Sequence, residues 1–170
     1  DAVRRSAAGR GLERSHNPTG LAEEALVLAA LTHPFLLDEF AEAFANLPIA
    51  EANLDKLRRE LLHALSLGQS LDSQGLRDHL TRRGFGDICE RLERRPMLRS
   101  MAMTRQETST PVVMREFTHT VALHHKRTAL EAEHAQAAET FKRDATEENL
   151  ARLRAIAHEL QSMTGAEAGP

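Results

Sequence analysis

Residues 110–164 read TPVVMREFTHTVALHHKRTALEAEHAQAAETFKRDATEENLARLRAIAHELQSMT, and this stretch decides the fold. Thr110 before Pro111 marks a helix start: a capping side chain, then a residue whose fixed φ suits the first turn. No Gly or Pro follows Pro111 until Gly165. The one break in helical character is Asp144-Ala145-Thr146. There Thr146, with Glu147 and Glu148 behind it, sets a cap and two carboxylates at the positive end of a new helix. The pattern predicts a helix of about 33 residues, on the order of 50 Å long at 1.5 Å per residue, and a return helix of roughly 17.

A long helix, a tight turn and a shorter return helix make an antiparallel hairpin. On the return helix Leu150, Leu153, Ala157, Leu160 and Thr164 recur at spacings of three and four, and Ile156 and Met163 widen the stripe. The facing stretch of the long helix offers Leu130, His134, Ala138 and Phe141. Two helices alone cannot bury a stripe that wide, so the rest of the chain or another protein must cover it. We place Leu153 and Leu160 near the centre of the stripe, holding the hairpin closed. Ile156 and Met163 are placed at its edge, where they are available to a partner.

Upstream of this hairpin the pattern is a series of shorter helices. Ala25 to Leu31 is apolar throughout, which predicts a helix sunk in a core, and His33-Pro34 ends it. Leu36, Phe40, Phe44 and Leu47 then lie on one face of a second helix that Pro48 closes. Leu54, Leu57, Leu61 and Leu65 form a third, closed by Gly68. Ser73 is the expected N-cap of a fourth, which turns Leu76 and Leu80 inward and stops at Gly84. A short fifth helix carries Ile88 and Leu92 up to Pro96, and residues 97–110 read as either a turn of helix or a loop. Residues 1–20 are small, charged and aperiodic, the composition of a disordered linker.

The expected fold is all-α: a compact helical bundle over 21–110, a connecting long helix over 111–127 and the C-terminal helical hairpin over 128–168. The low aromatic content, 4% with no Trp and no Tyr, agrees, because it leaves Leu, Ala, Ile, Val, Met and Phe to build the core. Residues 21–98 are expected to close a leucine core of their own.

Charge argues against nucleic acid as a partner. Residues 21–110 carry eleven basic and fourteen acidic side chains, and residues 111–170 carry seven and nine, so neither segment has the basic excess that phosphate neutralisation demands. The arginines at 82, 83, 91, 94 and 95 form one basic group, which we read as a solvated face paired with Asp78, Asp87, Glu90 and Glu93. A single cysteine, Cys89, permits no internal disulfide and fits a reducing cytoplasm. It is read as packed rather than catalytic. No apolar run reaches the ~18–20 residues of a membrane span. His119 and His124 are five apart and point away from each other, so no metal site is expected and no cofactor. His33 is read as a helix-end residue with a local hydrogen bond. The chain starts on Asp, and we take it as a segment of a longer protein.

Four segments, in order, carry a resemblance. EALVLAALTHPFLLDEF (24–40), LDSQGLRDHLTRRGFGDICERL (71–92), VALHHKRTALEAE (121–133) and the ending from Asn149 to Ala168 resemble the C-terminal helicase-binding domain of bacterial DNA primases, particularly its alphaproteobacterial members. The likeness spans about residues 21–168. One departure is Phe117 near the start of the long helix, where members often carry Trp. The resemblance implies a non-catalytic, cytoplasmic interaction domain, with the primer-synthesising polymerase domain N-terminal to it. It also implies a hairpin that docks on the N-terminal domain of the hexameric replicative helicase and so couples primer synthesis to the fork. The partner-binding residues expected on this basis are Phe141, Arg152, Leu153, Ile156, Leu160 and Met163. The isolated domain is expected to be a monomer. An alternative is an N-terminal helicase-like domain that oligomerises as a structural collar.

From the charge balance, residues 21–170 are expected to show no salt-sensitive binding of single-stranded DNA. Fluorescence anisotropy checks this. Sub-micromolar binding at physiological salt would make the Arg82-to-Arg95 group a functional surface.

Overall fold

A fully apolar run such as Ala25–Leu31 is stable in water only if every face of its helix is covered, and the helices between residues 35 and 122 supply that cover. In a computed structural model, which describes residues 17–67 and 72–167, the chain is all-α, with no strand among the described residues. Helix α1 is Pro18–Thr32, with Asn17 as its cap: the Asn17 side chain accepts the Thr19 N–H at 3.1 Å. Asn17 to Gly20, expected in the linker, are thus the cap and first turn of a helix; the other expected linker residues lie outside the described ones. Ala25 through Leu31 are all at most 3% exposed.

Helices α2 (Phe35–Glu39) and α3 (Ala41–Ala45) replace the single helix expected after Pro34. The chain leaves helical dihedrals at Phe40, whose ring packs against Phe117 with centroids 5.3 Å apart. Leu36, Phe44 and Leu47 stay buried. Helix α4 (Ala52–Ser66) supplies Leu54, Leu57 and Leu61 to the same core, and its Arg58 donates to the Phe44 and Ala45 carbonyls while paired with Asp55. That guanidinium satisfies the carbonyls α3 leaves open at its C-terminus. The expected stop of this helix, Gly68, lies outside the described residues.

Helix α5 (Ser73–Arg82) is capped by Asp72, not by Ser73: the Asp72 carboxylate accepts the Gly75 N–H at 2.7 Å. Gly84, at φ +87°, makes the left-handed turn into α6 (Gly86–Arg94), a conformation that costs a residue with a Cβ. Pro96 starts the single turn α7 (Pro96–Arg99), and a 3₁₀ turn, Ala102–Thr104, follows. Helix α8 (Thr110–Arg143) has 34 residues, and α9 (Glu147–Glu167) has 21, against roughly 17 expected. The described residues fall into two units that divide within α8, between Ala122 and Leu123.

The first unit has one continuous core from α1 to the opening of α8, where Val113 and Phe117 are fully buried and Val121 packs against the same cluster. Polar contacts tie its loops down. Buried His33 donates through Nε2 to the Arg105 carbonyl at 3.1 Å, a partner 72 residues away rather than the local one expected. Burial pushes its pKa below 6.5, although the carbonyl works in the other direction. The arginine group is paired largely across helices: Arg83 with Glu60, Arg91 with Glu51 and Arg95 with Glu24. Of the pairs with the expected acids, Arg94 with Glu90 is present, while Glu93 pairs with Arg77.

Glu60 ties α4 to α5. Its buried carboxylate accepts from His79 at 2.9 Å and from Arg83 at 3.0 Å. Burial alone would raise its pKa, but these hydrogen bonds and the Arg83 charge outweigh it and hold the group below 4.5. A lowered folded-state value means stability that is present above the unfolded value and lost as pH falls through the folded one. Acid titration of thermal stability is therefore expected to show a steeper loss below about pH 4.5 in the parent than in Glu60→Gln, which has no carboxylate to protonate. Equal acid limbs would remove Glu60 from the account.

Candidate functional site

The second unit begins at Leu123 and consists of the remainder of α8, a three-residue connection and α9. Asp144, Ala145 and Thr146 turn the chain as expected. The Asn149 N–H donates to the Thr146 hydroxyl at 3.2 Å, and the Asn149 amide reaches the Asp144 carbonyl at 2.8 Å. Lys126 pairs with Glu159 at 2.9 Å, and Arg127 donates to the Thr164 hydroxyl at 3.2 Å. Early α8 residues therefore meet late α9 residues, which is an antiparallel pair.

Its core is small. Leu130, Ala137, Ile156 and Met163 are its buried apolar residues, Leu123, Leu153 and Leu160 pack partly buried against them, and the polar His124 and Arg127 are buried in the same unit. Leu123, Leu130 and Ala137 recur every seven residues, as do Ile156 and Met163, so each helix contributes one line to the seam. Ile156 and Met163, both 8% exposed, are thus the centre of the α9 stripe, and Leu153 and Leu160 are its flank. This reverses the placement expected from the sequence. A three-residue step on a helix is a rotation of about 60°, so either neighbouring line satisfies the same spacing, and only the packing of α8 selects one.

The rest of the apolar stripe lies on one side of that seam. Leu150, Leu153 and Leu160 are half-buried, and Ala157 and Thr164 are exposed. On α8 the half-buried residues His134, Ala138 and Phe141 border the seam. Of the six residues expected to bind a partner, Phe141, Leu153 and Leu160 belong to this open flank, and Ile156 and Met163 do not. Arg152 stands apart: it is exposed and one heptad before Glu159, which places it on the side where Lys126 and Glu159 pair. Sequence reasoning left out Leu150 and Ala157 as site residues, although both are in the stripe it described. Their spacing was the available signal.

Comparison with known proteins adds no relative. Neither a family model, nor a curated protein, nor a solved structure matches the chain. The flank stands on its own chemistry, an apolar strip that includes the small side chains of Ala138 and Ala157. Other chemistry-bearing groups sit elsewhere. Cys89 is buried, and burial first, then the nearby Glu93 charge, pushes its thiol up to about 11, which keeps it protonated at neutral pH. Among the described residues no three His, Cys, Asp or Glu side chains are grouped to hold a metal ion, and no helix is long and apolar enough to cross a membrane.

The two lines of α9 respond differently to a buried charge. Ile156→Asp and Met163→Asp each place a carboxylate in the seam, at a cost of about 2–5 kcal/mol, enough to open so small a core. Ala157→Asp adds the same charge to an exposed position and is expected to leave helicity and melting temperature unchanged. Circular dichroism with thermal melts reads both. A hairpin that tolerates Ile156→Asp but not Ala157→Asp would place the seam on the wrong line.

Proposed function

We propose that this chain is the helicase-binding module of a bacterial DNA primase, and that it docks through the open flank of the α8–α9 pair. The observation that carries the reading is that flank: Phe141, Leu150, Leu153, Ala157 and Leu160 form an apolar strip that the pair's own seam leaves partly in water. A closed leucine core in the first unit and a thin one in the second divide the work. The first unit is stable without the flank, and the second presents a surface whose burial is still to be gained. The order of segments that resembles the primase domain supports the choice of partner, the N-terminal domain of the hexameric replicative helicase.

In this mode an apolar helix face settles in a groove between helices and a few central side chains dominate affinity. Leu153 and Leu160 take that role here, with Phe141 at one end. The catalytic work, RNA primer synthesis, belongs to the polymerase domain expected upstream. The module contributes by holding that domain near its template, which raises its effective concentration there. The collar-forming alternative uses the same flank for a second copy of this chain.

Size-exclusion chromatography with light scattering distinguishes the two. The full chain is expected to run as a monomer alone and to co-elute with the helicase N-terminal domain. Ala157→Asp should abolish co-elution while keeping the parent's melting temperature, and Arg152→Glu, on the other side of the seam, should bind nearly as well as the parent. Concentration-dependent self-association lost in Ala157→Asp would favour the collar. Helicase binding unaffected by Ala157→Asp would show that the flank is not the interface.

A further inference from the structure

We infer that the flank receives a single amphipathic helix of the helicase N-terminal domain, which lies along the groove between α8 and α9 and completes a three-helix bundle. The inference rests on the docking reading above and names the element that docks. Three lines of side chains run along this side of α9: Ile156 and Met163, then Leu153 and Leu160, then Leu150, Ala157 and Thr164. Steps of three and four residues set neighbouring lines about 40–60° apart. The first two lines pack in the seam with α8. The last two repeat in the same way, at 150, 153, 157, 160 and 164, so α9 carries a second seam that shares Leu153 and Leu160 with the first. The two seams point about 50° apart.

That angle selects the occupant. A helix at the corner of a triangle of helices has its two neighbours about 60° apart, and at the corner of a square about 90° apart. The α9 pattern fits the triangle. On α8 the arrangement is matched: beyond the Leu130–Ala137 line come half-buried His134 and Phe141, and beyond those half-buried Ala138, again in steps of about 40–60°. Lys126 and Glu159 pair on the opposite side of the seam, so both second lines open on the side where Arg127 reaches Thr164. One helix laid there touches both walls, whereas a second helical pair needs the wider angle. Leu150 to Thr164 spans fifteen residues, on the order of 20 Å, so the occupant has about four turns with apolar residues at spacings of three and four. Exposed Glu147 and Arg154, a heptad apart, edge the strip on α9. The occupant's flanking positions are therefore basic near the α8–α9 turn and acidic one heptad further along.

Hydrogen–deuterium exchange of the helicase N-terminal domain, with and without the full chain, reads which of its segments dock. One contiguous protected stretch of about fifteen residues is expected. Isothermal titration of variants reads the two walls. Ala138→Asp and Ala157→Asp are each expected to raise Kd about tenfold or more, and Ala135→Asp, exposed on the outer face of α8, to bind as the parent does. Ala138→Gln, which adds bulk without charge, takes the place of Ala138→Asp if the aspartate lowers the melting temperature. Protection of two separate helices overturns the third-helix inference and leaves the docking intact. So does binding lost in Ala157→Asp but kept in both Ala138 variants, which puts the partner on α9 alone. No complex with the helicase domain overturns the docking reading, and the inference with it.

Discussion

Two helices packed side by side bury only one narrow line of each, and a stripe wider than that line must find its cover elsewhere. The α8–α9 pair meets this limit directly. Its seam takes Leu130 and Ala137 from one helix and Ile156 and Met163 from the other. What remains of the α9 stripe is turned by about 60° and stays partly wet. In the first unit α1 is surrounded on all sides and its apolar neighbours from α8 are absorbed into one large core, leaving Leu67 and Met97 as separate exposed apolar side chains rather than a strip. The contrast between a large closed core and a narrow seam with an apolar strip beside it is the physical basis for proposing the second unit as the interaction surface.

Polar residues set the bounds of that seam. The Lys126–Glu159 pair closes one side, and both side chains are about half exposed, so it contributes little stability but keeps that side polar. On the other side the Arg127 contact to Thr164 crosses near the end of the pair. Between Thr164 and the turn, the α9 side of the flank is carried by Leu160, Ala157, Leu153 and Leu150. The turn itself is held by Thr146 and Asn149, which fixes how far α9 can slide along α8 and hence which side chains share the flank.

Much of this was legible in the sequence, and the reasons are local. Thr146 caps because a hydroxyl before two glutamates suits a helix start, and Gly84 turns because its φ requires a residue without a Cβ. The apolar run in α1 announced its own burial. What was not legible depends on partners distant in the chain. Spacings of three and four define a stripe but not which of its lines meets α8, so Ile156 and Leu153 exchanged places. The break at Phe40 interrupts an unbroken apolar period and is seen only with Phe117 beside it. His33 finds the Arg105 carbonyl, and most of the arginines find acids on other helices, through contacts that no spacing rule encodes.

If the proposed docking holds, the α9 flank, and not the seam or the first unit, meets the helicase. Methyl NMR of the full chain, titrated with the helicase N-terminal domain, tests it side chain by side chain. The Leu150, Leu153 and Leu160 methyls are expected to shift or broaden first, while those of Leu26, Leu57 and Leu61 hold their positions. Perturbation confined to the first unit, or a flank unmoved at saturating helicase, would contradict it.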